Sequence, residues 1–268
     1  MNTKLGFGAR GIHGIALIVA DLEAATAFYC NGLGFTFEAQ PGATGANSAS
    51  AMLNLGGITL RLEQPASPGV PYPAERAAND PWFQHFAIRV ADMNAAYDRL
   101  SGQPFNAISV GGPQQLPANS GSVIAFKFRD PDGHPLELSH YPGELHATKS
   151  SPFLGIDHSA VAVSDIDASI KFYGEQLGFR MADRLVNQGP TQWRLDGLGG
   201  VVVDIAVLKP PGPGPHLELL HYRSPSRRAP RSGTAMNDIV ATRLLVTAEV
   251  GGILTDPDGH LIELVQTR

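Results

Sequence analysis

The chain has 268 residues, 43% of them hydrophobic and 17% charged, with a formal net charge of −5. A chain of this size and make-up buries a real core, as one large or two smaller domains, and its mildly acidic balance supplies no basic field for nucleic acid. The single cysteine, Cys30, rules out a disulfide within the chain and any thiolate metal cluster, and suits a reducing cytoplasm.

The first apolar run, "GIALIVA" (Gly14 to Ala20), is too short to span a bilayer and has no basic leader or small-residue cleavage site, so neither a signal peptide nor a membrane anchor is expected. Its alternation reads as a strand. Asp21 follows as a helix N-cap, and the helix stops at Gly32 and Gly34. "ASAMLNLGG" and "ITLRLEQ" then alternate as strands. Beyond a proline-rich linker (Pro65 to Pro81) the same order returns in "HFAIRVADMNAAYDRL" from His85, with Asp92 as the cap and "VIAFKFRD" and "PLELSHY" as strands. A second linker (Pro142 to Pro152) leads to "HSAVAVSDIDASIKFYGEQLGF" from His158, capped by Asp165 and closed by Gly178, then to "TQWRLDG", "VVVDIAVLK" and "HLELLHY" as strands. The arginine-rich "RSPSRRAPRSG" (Arg223 to Gly233) is short and proline-broken and reads as a solvated loop. After "ATRLLV" from Ala241 the chain reaches "DPDGH" too soon for a helix.

Four tandem βαβββ units result, the fourth truncated and lacking its helix, which makes an α+β protein. In chain order they divide into units one and two (1–146) and units three and four (147–268). "DPDGHPLEL" (Asp130 to Leu138) and "DPDGHLIEL" (Asp256 to Leu264) each set an Asp-Gly turn before an apolar strand holding one glutamate.

A strand opening "H-x-x-V/I-x-V-x-D", a helix ending "FY-x-x-x-LGF" and a last strand in "DPDGH-x-x-E-L" make the chain resemble the vicinal oxygen chelate superfamily, from about Gly11 to Gln266. That superfamily holds glyoxalase I, extradiol dioxygenases, fosfomycin resistance enzymes and bleomycin resistance proteins, and the resemblance implies two cupped mixed sheets with a divalent metal on an inner face. The motif "HSAVAVSDIDASIKFYGEQLGF" is similar to the glyoxalase I pattern, with Ser159 a departure from its usual apolar residue.

Strand register decides which residues qualify as ligands, because a slip of one turns a side chain to the other face. His85 and His158 each stand seven residues before the capping aspartate; in unit one that position is Gly14, with His13 one step off, and in unit four the count reaches Ala241. The glutamate position holds Glu137, Glu218 and Glu263, and Arg61 in unit one; Glu63 shares the face of Arg61 but is expected to be exposed. His140 and His221 lie an odd step beyond Glu137 and Glu218 and face away. If units two and three face each other, His85, Glu137, His158 and Glu218 form one complete metal set, and Gly14, Arg61, Ala241 and Glu263 fall in the other cup. The alternative, units one with two and three with four, gathers His158, Glu218 and Glu263 instead.

Imidazole and carboxylate ligands suit a divalent Zn, Ni, Mn, Fe or Co ion acting as a Lewis acid on vicinal oxygens. The resemblance then implies isomerase or lyase chemistry on a small molecule through an enediolate, with Glu137 or Glu218 as the base. An extradiol dioxygenase would carry a further histidine upstream of "RDPDG", where this chain has Asn119 and Ser120. A metal-free binding protein is the third reading, with Trp82, Phe126, Phe128, Trp193 and Tyr222 lining an apolar cleft. A small-molecule substrate and a homodimer fit these readings; nucleic acid and membrane do not.

Overall fold

The structure, a computed structural model, describes residues 6–39, 48–144, 151–226 and 233–267. Unit one runs β1 (Gly11–Ile18), α1 (Leu22–Ala27) continued by a π-helical turn, β2 (Thr36–Ala39), β3 (Ser48–Leu55) and β4 (Ile58–Pro65). Unit two runs β5 (Gln84–Val90), α2 (Met93–Ser101), the short β6 (Asn106–Ala107) and β7 (Gln114–Gln115), β8 (Ile124–Arg129) and β9 (Pro135–His140). Unit three runs β10 (Phe153–Ala162), α3 (Ile166–Leu177), β11 (Arg180–Gln188), α4 (Pro190–Asp196), β12 (Val202–Lys209) and β13 (His216–Ser224). Unit four is β14 (Arg243–Ala248), β15 (Gly252–Thr255) and β16 (Leu261–Gln266), with no helix. Parts of the second linker (145–150) and of the arginine-rich loop (227–232) lie outside the described residues. Among the described residues no helix is long and apolar enough to cross a membrane.

The capping aspartates act as their positions predict. Asp21, Asp92 and Asp165 accept the backbone N–H of Ala24, Ala95 and Ala168 at 2.9, 3.1 and 3.0 Å, each cap stabilising its helix by ~1 kcal/mol. One expectation fails: "TQWRLDG", read as a strand, belongs to α4. Trp193 and Leu195 alternate as a strand would, but Pro190 opens a helix and Gly197 ends it in the left-handed region at φ 59°.

A seven-stranded sheet, ordered β15-β16-β14-β1-β4-β3-β2, joins units four and one, and a nine-stranded sheet joins units three and two as β11-β12-β13-β10-β5-β9-β8-β6, with β7 paired to β8 as the ninth strand. The central units therefore share one sheet and the outer units the other. Each sheet has an antiparallel seam at its middle, β10 against β5 and β1 against β14, flanked by parallel pairs.

The cores group the units differently. One apolar cluster gathers units one and two, including Tyr29, Leu53, Leu60, Ile88, Phe126 and Leu138; another gathers units three and four, including Tyr173, Leu177, Leu219, Val246 and Leu264. The repeated "DPDGH" is part of this contact. Tyr29 donates to Asp130 Oδ2 at 2.7 Å and Tyr173 to Asp256 Oδ2 at 3.1 Å, so each helix of the preceding unit is pinned to the turn. Asp130 Oδ1 accepts from the backbone of Gly133 and His134, both at 2.8 Å, and Asp256 Oδ1 from Asp258 and His260 at 2.9 and 2.8 Å. The second aspartates, Asp132 and Asp258, accept from Ala20 N and Ser164 N at 3.2 and 3.0 Å. Sheets knit the chain one way and cores knit it the other.

Candidate metal centre

The seam of the nine-stranded sheet sets four side chains on one face. Across β5 and β10, His85 is opposite Ala160 and His158 opposite Ala87. The parallel neighbours bring Glu137 beside Ala87 and Glu218 beside Ala160. Each glutamate thus lies one strand over and one same-face step along from a histidine, in two-fold-like fashion.

The four converge. His85 Nε2 is 3.4 Å from Glu137 Oε2, His158 Nε2 is 3.7 Å from Glu218 Oε2, and the imidazole centroids are 5.7 Å apart. Ligand atoms of His85, Glu137 and His158 lie within 4.8 Å of one another. His85 is 2% exposed and His158 4%, and both ring nitrogens of His85 and Nε2 of His158 are buried without a hydrogen-bond partner. Buried polar atoms are rarely left so.

A surrounding shell orients them. Ser139 donates to Glu137 Oε1 at 2.6 Å, Asp157 Oδ2 is 3.0 Å from His158 Nδ1 and accepts from Tyr141 at 2.8 Å, and His216 Nε2 is 3.4 Å from Glu218 Oε1. Burial lowers the pKa of His85 from its ordinary value, against the pull of the Glu137 carboxylate. Burial also works against the charged form of His158, but the Glu218 and Asp157 carboxylates outweigh it and raise the pKa to about 9. Burial opposes ionisation of Glu137 too; His85 and Lys127 overcome it and hold the carboxyl far below the usual range. Glu218 is shifted down in the same way, burial being outweighed by His158 and His216.

These groups line a cleft of about 230 Å³ together with Lys127, Tyr141, Asn187, Leu195, Ile205 and Tyr222. Sequence reasoning missed Lys127, Asp157, His216 and Asp196. Lys127 interrupts the apolar "AFKF", and His216 shares a period-two face with Glu218, so both had a visible signal; Asp157 did not, because its place depends on an irregularity of β10 between Ile156 and His158. Of the five aromatics considered for the cleft, Tyr222 lines it. Phe126 and Phe128 are in the core of units one and two, Trp193 is 40% exposed, and Trp82 borders another cavity. His140 and His221 instead face the backbone carbonyls of Val90 and Val163.

The seven-stranded sheet repeats the four positions with other residues. Ala16 is opposite Arg243 and beside Arg61, while Leu245 is opposite Gly14 and beside Glu263. The position expected for Ala241 is therefore Arg243, two residues on, because β14 starts later than the alternation suggested. Arg61 pairs with Glu263 and, at 2.7 Å, with Glu63; Arg243 pairs with Glu63 at 2.5 Å and Glu263 at 3.0 Å. Glu63, expected to be exposed, is drawn into this cluster by Arg243. A Cβ on Gly14 would overlap the Thr59 carbonyl, so β4 leaves no room for a ligand there. His13 sits at an irregularity of β1 that matches the Asp157 position of β10.

A family model described as the Glyoxalase/Bleomycin resistance protein/Dioxygenase superfamily matches residues 11–138 and 155–250. The chain is 30% identical to the uncharacterized protein YaeR of Escherichia coli (strain K12) over 134 residues, 49% of this chain and 96% of that protein. It is 32% identical to lactoylglutathione lyase GLX1 of Arabidopsis thaliana over 103 residues, and 27% identical to the iron-dependent extradiol dioxygenase of Rhodococcus jostii (strain RHA1) over 126. The matches span 38% and 37% of this chain but 32% and 42% of those two proteins. Among solved structures, glyoxalase I from Zea mays has a similar fold, with a TM-score of 0.65 at 18% identity over 96% of this chain and 92% of that one.

Proposed function

The chain belongs to the glyoxalase, bleomycin resistance protein and dioxygenase superfamily, and from that premise we propose that it is a metal-dependent, glyoxalase-like isomerase or lyase acting on a small compound with vicinal oxygens. The observation that supports this is the buried convergence of Glu137 with two imidazoles whose Nε2 atoms lack partners, with the half-buried Glu218 beside His158. Such orphaned nitrogens beside carboxylates fit a divalent ion, held by His85, Glu137, His158 and Glu218. When bound, an ion of the Zn, Ni, Mn, Fe or Co class would polarise the two vicinal substrate oxygens and acidify the C–H of the hydroxyl-bearing carbon next to the carbonyl.

The chain's own residues divide the remaining tasks. Ser139 and Lys127 pin Glu137, which suits a fixed ligand. Glu218 has a side chain 20% exposed and, among the described residues, His216 at its Oε1, so it is the better placed of the two to take a proton from one carbon and return it to the next. Leu195, Ile205 and Leu220 give the cleft an apolar side next to these polar groups.

Elemental analysis of protein purified without chelator tests the reading. One equivalent of divalent metal per chain is expected, lost in both His85→Ala and His158→Ala. A wild-type protein that neither holds nor takes up metal overturns it, and turnover of a hemithioacetal is the direct assay for the glyoxalase-type reaction. Relatedness to the extradiol dioxygenase supports ring cleavage as the second reading. Ser120 lines the cleft on the segment where those enzymes are expected to carry a histidine, which counts against it.

A further inference from the structure

Lys127 stands on β8 between Phe126 and Phe128, whose rings turn back into the core, so strand alternation turns the lysine into the cleft. It is 5% exposed; its Nζ donates to Asp196 Oδ1 at 2.7 Å and lies 3.8 Å from Glu137 Oε2. Asp196 is itself fixed, since its Oδ2 accepts from Gln192 at 2.8 Å and faces the Tyr222 hydroxyl at 3.5 Å. Helix α4, which carries Asp196 and Gln192, is tied across to unit two by Arg194 Nε on Gln114 Oε1 at 2.7 Å and Ser109 Oγ on the Leu195 carbonyl at 2.9 Å.

The ammonium is therefore held in place. Among the described residues Asp196 is the acceptor at hydrogen-bond distance from Nζ, which leaves donors over. Apolar residues of the same size in place of a buried ion pair commonly stabilise a protein, so stability does not explain the pair. The ammonium lines the same small cleft as His85, Glu137, His158 and Glu218, whose wall elsewhere mixes apolar Val123, Leu185 and Val203 with polar Asp183 and Asn187.

Resting on the metal reading above, we infer that Lys127 is a specificity-determining residue, whose ammonium recognises a carboxylate on the substrate beside the vicinal oxygens. The substrate class is thus a compact hydroxy or oxo acid with a further carboxylate. An ammonium held at the cleft wall favours such an acid over a neutral isostere through a charge-assisted hydrogen bond that the isostere cannot accept.

Titration calorimetry of the metal-loaded protein compares malate with 2-hydroxybutyrate, which share a 2-hydroxy acid and differ at the terminal carboxylate. Malate is expected to bind about ten-fold tighter or more, the range of a hydrogen bond to a charged group. Lys127→Met should bring malate down to the affinity of 2-hydroxybutyrate when wild type and variant are compared at equal metal content. Equal binding of the two acids by wild type, or a preference that survives in the variant, overturns the assignment. Lys127→Met with Asp196→Leu removes both charges and keeps the test open should the single variant not fold. Elemental analysis of the same samples separates the two readings: protein that takes up no metal overturns the metal centre and this inference with it, whereas metal-loaded protein without the preference overturns the Lys127 assignment alone.

Discussion

Tyr29 and Tyr173 show how single residues carry the fold. Each hydroxyl is buried and directed at the first aspartate of a "DPDGH" turn, so Tyr29→Phe leaves Asp130 Oδ2 with one partner fewer and should cost ~1–2 kcal/mol in urea unfolding. The same turn supplies a pH signature. His134 is buried 2.9 Å from Asp130 Oδ2. Burial alone would lower its pKa, but Asp130 outweighs burial and raises it above the ordinary 6.5; burial likewise opposes the ionised Asp130, yet His134 and Tyr29 hold it below 3.8. Stabilisation from His134 is therefore complete below pH 6.5 and is lost as pH rises through its higher folded value, while that from Asp130 is complete above pH 3.8 and lost as pH falls through its lower one. The difference in urea midpoint between wild type and His134→Gln should be larger at pH 5.5 than at pH 9; a constant gap would refute the linkage.

Among the elements, α4 and the β1–β14 seam were the hardest to read from sequence. Alternating Trp193 and Leu195 imitate a strand, whereas Pro190 at its start and Gly197 in the left-handed C-cap set the helix. A Cβ on Gly197 would overlap the Ile108 carbonyl while the residue holds φ 59°, so Gly197→Ala should destabilise by about 1–3 kcal/mol in denaturant titration. The seam of β1 and β14 bears an ion cluster in the positions that carry the candidate ligands in the other sheet. With two arginines there, uptake should stop at one metal per chain, which elemental analysis reads directly. Arg243→Ala should cost about 3 kcal/mol, toward the low end of the ~3–5 of buried pairs, because its partners Glu63 and Glu263 retain 24% and 23% side-chain exposure.

For the whole molecule, the crossing of sheets and cores is what matters. Units two and three supply the candidate ligands through one sheet, yet each is anchored to a different outer unit through its core. A ligand in the shared cup therefore couples both halves of the chain. Metal at 100 times its Kd should stabilise the fold by roughly 2.7 kcal/mol, so chelation should lower Tm in a single transition. Two separated transitions, with only one responding to metal, would contradict that coupling.

By itself the sequence determined the repeat, the helix caps, the truncated fourth unit and the register of His85, Glu137, His158 and Glu218, because capping chemistry and strand alternation are local. Only the tertiary structure decided which units share a sheet, that Arg243 rather than Ala241 fills the fourth unit's place, and that Lys127 and Asp196 meet inside the cleft. Strand pairing joins segments far apart in the chain, and where two alternations are equally apolar, only the contacts made after pairing distinguish them.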